Sequence, residues 1–140
     1  MFCNRGKAVG GAEKLAGVPF FDGFSPDELS RVADLADSVD AEPGAVLVEQ
    51  GRVGQECYVV LAGQASVYVA GEHVATSGPG SMVGEMALLE HKPRNATVVA
   101  DSDMKLIVFD NQAFKQLLVE MPKANDRVME TLAARLKVAR

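Results

Sequence analysis

The sequence predicts a single mainly β domain with flanking helices, an α+β protein whose strands form a sandwich or barrel. Three observations carry this reading. From Ala45 to Phe109 the chain falls into short, Val-rich runs. Gly44, Gly51, Gly54, Gly63, Gly71, Gly78 and Gly80 separate those runs as turn signals. Helix-forming sequence lies before and after the region but does not alternate with its strands, which argues against a parallel sheet built on crossover helices. At 140 residues, 48% of them hydrophobic, the chain has material for one core and no room for a second domain.

The elements follow in order. Residues 1–12, with Asn4, Gly6, Gly10 and Gly11, read as a flexible lead-in, and Glu13 to Gly17 as a short helix. Ser25-Pro26-Asp27-Glu28 sets a cap residue, a first-turn proline and two acids in sequence, so a helix is predicted from Pro26 to Ser38 and residues 13–42 form an N-terminal helical segment. Leu29, Val32, Ala33 and Ala36 share one face of it. Strands are predicted at Val46–Val48, Cys57–Leu61, Ala65–Ala70, His73–Ser77, Thr97–Ala100 and Leu106–Phe109, all within a β region spanning residues 43–110. Helical signals return at Asn111–Leu118 and Pro122–Val138, with Pro122 resetting the chain between them, so 111–140 is a C-terminal helical segment. Val128, Leu132 and Leu136 recur every four residues on the last helix, a stripe that suits core packing.

Charge and composition remove several functions. A formal net charge of -5 argues against general affinity for nucleic acid or acidic membranes, so an anionic ligand must be captured locally. No run approaches the ~18 uncharged apolar residues of a membrane span. Two distant cysteines, Cys3 and Cys57, give no disulfide framework, and a cytoplasmic protein is the expectation. Asn95-Ala96-Thr97 matches a glycosylation acceptor, a pattern that matters only in a secreted chain. His73 and His91 form no metal motif, and no nucleophile motif accompanies them, so neither a catalytic residue, a metal nor a cofactor is expected and the chain is read as a binding protein rather than an enzyme.

The chemistry concentrates in Val83-Gly84-Glu85-Met86-Ala87-Leu88-Leu89 and the following Pro93-Arg94-Asn95-Ala96-Thr97. A glycine lets the backbone approach a ligand, and Met86 to Leu89 is good helix-forming sequence whose first N–H groups can face an anion. Arg94 supplies a planar, permanently charged fork for phosphate oxygens. Glu85 is consistent beside it when it accepts from a sugar hydroxyl, which makes a phosphorylated sugar the ligand class. Each residue has a plainer reading too: Gly84 as a turn glycine, Glu85 and Arg94 as a surface ion pair, Ala87 and Ala96 as small packing residues.

This segment resembles the phosphate-binding cassette of cyclic-nucleotide-binding domains, the family of protein kinase A regulatory subunits, bacterial cAMP receptor proteins and cyclic-nucleotide-gated channels. It matches the pattern Phe-Gly-Glu-Leu-Ala-Leu, a short loop, then Pro-Arg-x-Ala-Thr at Gly84, Glu85, Ala87, Leu88, Pro93, Arg94, Ala96 and Thr97. The resemblance extends to Leu15–Leu29 and Pro43–Val69 and covers nearly the whole chain. It implies a double-stranded β-helix, or jelly roll, with N-terminal helices, a short cassette helix and C-terminal helices, and a cassette at residues 82–97. It implies ligand contacts from Val83, Gly84, Glu85, Met86, Ala87, Arg94, Asn95, Ala96 and Thr97, and a final helix that closes over the base, with Val128, Leu132 and Leu136 as a lid. The family often has alanine after the arginine where cAMP is preferred and threonine where cGMP is preferred. Asn95 is neither. Val83 replaces the usual aromatic residue, and Gln55 stands where kinase-type domains often carry an acid that supports the arginine.

The implied function is a ligand-responsive sensor that binds cAMP and moves its C-terminal helix. The alternatives are a cGMP-preferring sensor and a nucleotide-independent protein-interaction module on the same fold. A sensor must pass its state to a partner, either a separate effector protein or a missing effector domain, and the C-terminal stripe also offers a surface for a homodimer.

Overall fold

Four consecutive residues, Leu106 to Phe109, are all buried, which a strand covered on a single face does not allow, because successive side chains point to opposite faces. Their strand is therefore packed on both sides, and this organises the molecule. The structure is a computed structural model that describes residues 3–7, 15–18, 21–53, 56–84 and 93–138, with the backbone alone at 3–7, 131–132 and 134–138. In chain order the elements are β1 (Cys3–Lys7), α1 (Pro26–Leu35), β2 (Asp37–Ala41), β3 (Val46–Val48), β4 (Glu56–Ala62), β5 (Ala65–Val69), β6 (Glu72–Ser77), β7 (Met82–Val83), β8 (Thr97–Ala100), β9 (Met104–Asp110), α2 (Asn111–Glu120) and α3 (Pro122–Val138).

The strands make two antiparallel sheets, one ordered β1-β2-β9-β4-β7 and the other β3-β8-β5-β6. Strand alternation divides β4 and β9 between two cores. Val60, Leu106 and Val108 point between the sheets, with Val39, Leu47, Val83 and Val98. Cys57, Val59, Ile107 and Phe109 point outward and pack with Leu15, Phe21, Val32, Phe114, Leu117 and Val128 from the helical segments. The predicted class, a β-roll with helices before and after it, is the one observed.

Two boundaries are corrected. The segment read as a flexible lead-in contains a strand: β1 pairs antiparallel with β2 from Cys3↔Ala41 to Lys7↔Asp37. This pairing gives β2 backbone partners on its second edge, a requirement that the composition of residues 1–12 does not announce. The first helix also ends earlier than Ser38. The Ala36 N–H closes its last turn on Val32 O at 3.1 Å, and residues 37–41, placed by the sequence in a helical segment, form β2 against β9. Val39 and Ala41 face the roll interior there, so pairing and burial override continuation of the helix.

The start of α1 is as its sequence predicts. Glu28 N donates to Ser25 Oγ at 3.1 Å and Ser25 N donates to Glu28 Oε1 at 2.8 Å, a reciprocal cap ahead of Pro26. Asp110 caps α2 by accepting from Ala113 N at 2.7 Å, so the end of β9 and the start of α2 are joined without a loop.

Candidate ligand-binding site

Arg94 is buried, with 8% of its surface exposed, and a charge in that position needs dedicated partners. Its backbone is fixed first. Arg94 N donates to Arg52 O at 2.7 Å, Gly51 N donates to Arg94 O at 2.8 Å, and Val53 and Pro93 form a bridge. The segment entering β8 is thereby pinned to the loop after β3.

The guanidinium then reaches across the roll. Nη1 donates to Gly84 O at 2.7 Å, and Nη2 donates to Glu56 O. One side chain thus holds the end of β7 against the start of β4. Gly84 has φ +89°, and a Cβ there would run into Arg94 Nη1 and lie 3.2 Å from Cζ. The glycine is required twice over, by its left-handed backbone and by the approach of the arginine.

Arg94 also lines a cavity of about 270 Å³ with Leu47, Val48, Glu49, Glu56, Tyr58 and Asp110. Tyr58 Oη donates to Glu56 Oε1 at 3.3 Å on its wall. Glu56 and Asp110 are register partners across β4 and β9, so two carboxylates stand side by side near the guanidinium. Sequence reasoning singled out none of Glu49, Glu56, Tyr58 and Asp110. The signal for Glu56 and Tyr58 is strand alternation around the buried Cys57, whereas an arginine contact to a backbone carbonyl carries no side-chain signature.

The other expected site residues fall as follows. Val83 is buried in the roll interior and pairs with Tyr58. Asn95 is exposed, and Ala96 and Thr97 are half-buried. Thr97 Oγ1 accepts from Gln50 N at 3.0 Å, and Gln50 Oε1 accepts from Ala70 N at 2.9 Å, so this threonine ties β8 to the turn after β5. Glu85, Met86 and Ala87, with the expected cassette helix and His91, lie outside the described residues, as does Gln55. Val128 is buried beside Leu15, Phe21 and Phe24 in the outer core, and the side chains of Leu132 and Leu136 lie outside the described set. Among the described residues no residue of α3 lines the cavity, and no helix is long and apolar enough to cross a membrane.

Two sheets closed into a roll, with a buried arginine linking a glycine turn to the neighbouring strand, define a β-roll domain with an arginine-centred cavity wall. The family model for the cyclic nucleotide-binding domain matches residues 38–121, more than half of the sequence. The chain belongs to the cyclic nucleotide-binding domain family. It is 34% identical over 104 residues to a cAMP-dependent protein kinase regulatory subunit of Hypocrea atroviridis, an alignment covering 74% of this chain and 22% of that protein. Among solved structures it is similar to cAMP-bound PfPKA-R, with a TM-score of 0.82 and 26% identity over 94% of this chain and 46% of the other. It is similar also to the regulatory subunit of a cAMP-independent protein kinase A from Trypanosoma brucei, with a TM-score of 0.79 and 26% identity over 89% of this chain and 45% of the other. The chain spans 22% to 32% of the length of the first curated relatives it matches.

Proposed function

We propose that this domain binds a cyclic nucleotide, cAMP in preference to cGMP, and acts as a cytoplasmic regulatory sensor for a protein effector. The observation that carries the reading is the buried Arg94, locked to Gly84 and Glu56 in a chain of this family. The guanidinium has five N–H donors, and a site that already orients its plane presents the charge to a phosphate with little further ordering. In this reading Arg94 holds the cyclic phosphate and Glu85 the ribose hydroxyl. Val83, Gly84, Met86, Ala87, Asn95, Ala96 and Thr97 shape the surrounding backbone, the small residues letting N–H groups approach the oxygens. Ligand binding draws the cassette toward the roll and recruits Val128, Leu132 and Leu136 of α3 over the base, which changes the surface offered to the effector. The kinase-regulatory character of the relatives supports a protein kinase chain as that effector.

Calorimetric titration with cAMP and cGMP, paired with Arg94→Ala, tests the site. Arginine-dependent binding with cAMP tighter is the expected result, and equal affinity in the variant would reject the assignment. A second reading, a nucleotide-independent interaction module, is favoured by the likeness to the cAMP-independent Trypanosoma brucei subunit and by the departures at Val83 and Gln55. A folded wild-type protein that binds neither nucleotide would establish it.

A further inference from the structure

The backbone of Arg94 is paired with Gly51 and Arg52, and the residue just before them is tied to two further elements. Gln50 N donates to Thr97 Oγ1 at 3.0 Å, at the start of β8, and Gln50 Oε1 accepts from Ala70 N at 2.9 Å. Val69 and Glu72 are register partners, so Ala70 and Gly71 make a two-residue turn between β5 and β6. Both have positive φ, +52° and +83°, the backbone that suits the twist of a tight hairpin. The bond that closes such a turn joins its flanking residues, which leaves the N–H of the first central residue for a partner outside the hairpin. Among the described residues Ala70 is the single non-glycine at positive φ, a backbone that disfavours a Cβ, and its N–H is the group that Gln50 holds. One exposed glutamine thus joins the turn at residues 49–52, the start of β8 and the β5–β6 hairpin.

We infer that Gln50 is a positioning residue for Arg94, whose amide oxygen steadies the turn on which the arginine backbone rests. The inference rests on the nucleotide-binding reading above and adds to it a residue that sets affinity through Arg94. A long side chain presents its fork in one orientation only when both of its ends are held. Gly84 O and Glu56 O hold the guanidinium end, and the turn at residues 49–52 holds the backbone end. Releasing that turn from the β5–β6 hairpin lets the backbone of Arg94 shift, and a planar fork matched to phosphate oxygens tolerates little displacement. Because Gln50 is exposed, its side chain can be changed without opening either core.

The test is Gln50→Met in the full chain, which keeps the length of the side chain and removes the amide oxygen, with Gln50→Glu as the variant that restores an acceptor for Ala70 N. Two quantities are read: the Arg94 Nε–H resonance of the ligand-free protein, assigned by its loss in Arg94→Lys, and cAMP affinity by calorimetry at physiological ionic strength. Gln50→Met is expected to move the Arg94 resonance and to weaken cAMP binding about twofold to tenfold, the worth of one hydrogen bond, and Gln50→Glu to return both toward wild type. An unmoved Arg94 resonance in Gln50→Met would overturn the positioning role whatever the affinity. So would a moved resonance with unchanged affinity, or a Gln50→Glu variant that behaves as Gln50→Met does. If the wild type binds cAMP and the resonance stays in place, the role of Gln50 alone is rejected; if the wild type binds no cyclic nucleotide, the binding reading falls and the effect of Gln50 on affinity falls with it.

Discussion

At Arg94 a single side chain does one job that the structure shows and one that is proposed. Its carbonyl contacts support the fold, and its charge is the proposed phosphate ligand. Charge-assisted hydrogen bonds contribute about 1.5 to 3 kcal/mol each, so Arg94→Ala should weaken cAMP binding by roughly tenfold to a few hundredfold. It should also lower the melting temperature without ligand, because Gly84 O and Glu56 O lose a donor. Arg94→Lys should recover little affinity, since an ammonium keeps the charge and loses the fork. Gly84 is the more discriminating probe. A left-handed backbone costs an ordinary residue about 1 to 2 kcal/mol, and the new methyl group would displace the guanidinium as well. Gly84→Ala is therefore expected to reduce cAMP affinity at least about tenfold, comparable to the arginine variant, although position 84 carries no charge. Calorimetry on the folded variant checks this, and wild-type affinity would show that Arg94 is not held in the orientation described.

At the scale of elements, polar contacts at the rim join the N-terminal helix to the C-terminal helices. Arg31 Nε and Nη2 donate to the two carboxylate oxygens of Glu120 at 2.7 and 2.8 Å, a two-pronged bond from α1 to the end of α2, and Gln116 Nε2 donates to the same carboxylate. Arg31 first, then Gln116, holds the Glu120 carboxyl down at about 2, against 4.5 for an ordinary glutamate. The Ser25 backbone N–H, followed by Lys123, lowers Glu28 in the same direction. A depressed folded-state value means that the contribution is fully present above about 4.5 and disappears as pH falls through about 2. Thermal melts between those limits should show wild type losing an advantage over Glu120→Gln as the medium becomes more acidic. A constant difference across the window would show that the Arg31 contact does not titrate with Glu120. Both residues are at the surface, so the effect should also shrink in high salt.

At the scale of the whole molecule, the five-stranded sheet separates the roll interior, beside the site, from the outer core, which holds the helices. Phe109 and Val108 are chain neighbours, yet they serve different cores, so β9 joins the roll interior to the helical layer within one residue. A ligand that binds only the folded domain should stabilise it by about 2.7 kcal/mol at a free concentration one hundred times its dissociation constant. The same concentration of cAMP should therefore raise the melting temperature of the wild type clearly more than that of Arg94→Ala, for which a tenfold weaker affinity halves the stabilisation to about 1.4 kcal/mol. Equal shifts in both proteins would place the nucleotide somewhere other than Arg94.

How much of this was legible beforehand depends on the range of the interaction. Ser25-Pro26-Asp27-Glu28 announces the start of α1 because capping is completed within four residues, and the glycine-separated Val runs announce strands because turn conformation and side-chain alternation are local. Gly84 and Arg94 were likewise named as a candidate pair from residue type and spacing, and the structure brings the two together through the Arg94 bond to Gly84 O. The partner of β2 was not, because pairing with residues 3–7 is set by an edge that exists only after the sheet has formed. Nor were Glu56 and Tyr58, which meet Arg94 through a backbone carbonyl and a shared cavity wall 36 to 38 residues away in sequence. The sequence by itself determined the fold class, the start of α1 and the charge carried at position 94. Tertiary structure alone decided where α1 gives way to a strand, what holds the arginine and where Val128 is docked, because each depends on surfaces brought together from distant parts of the chain.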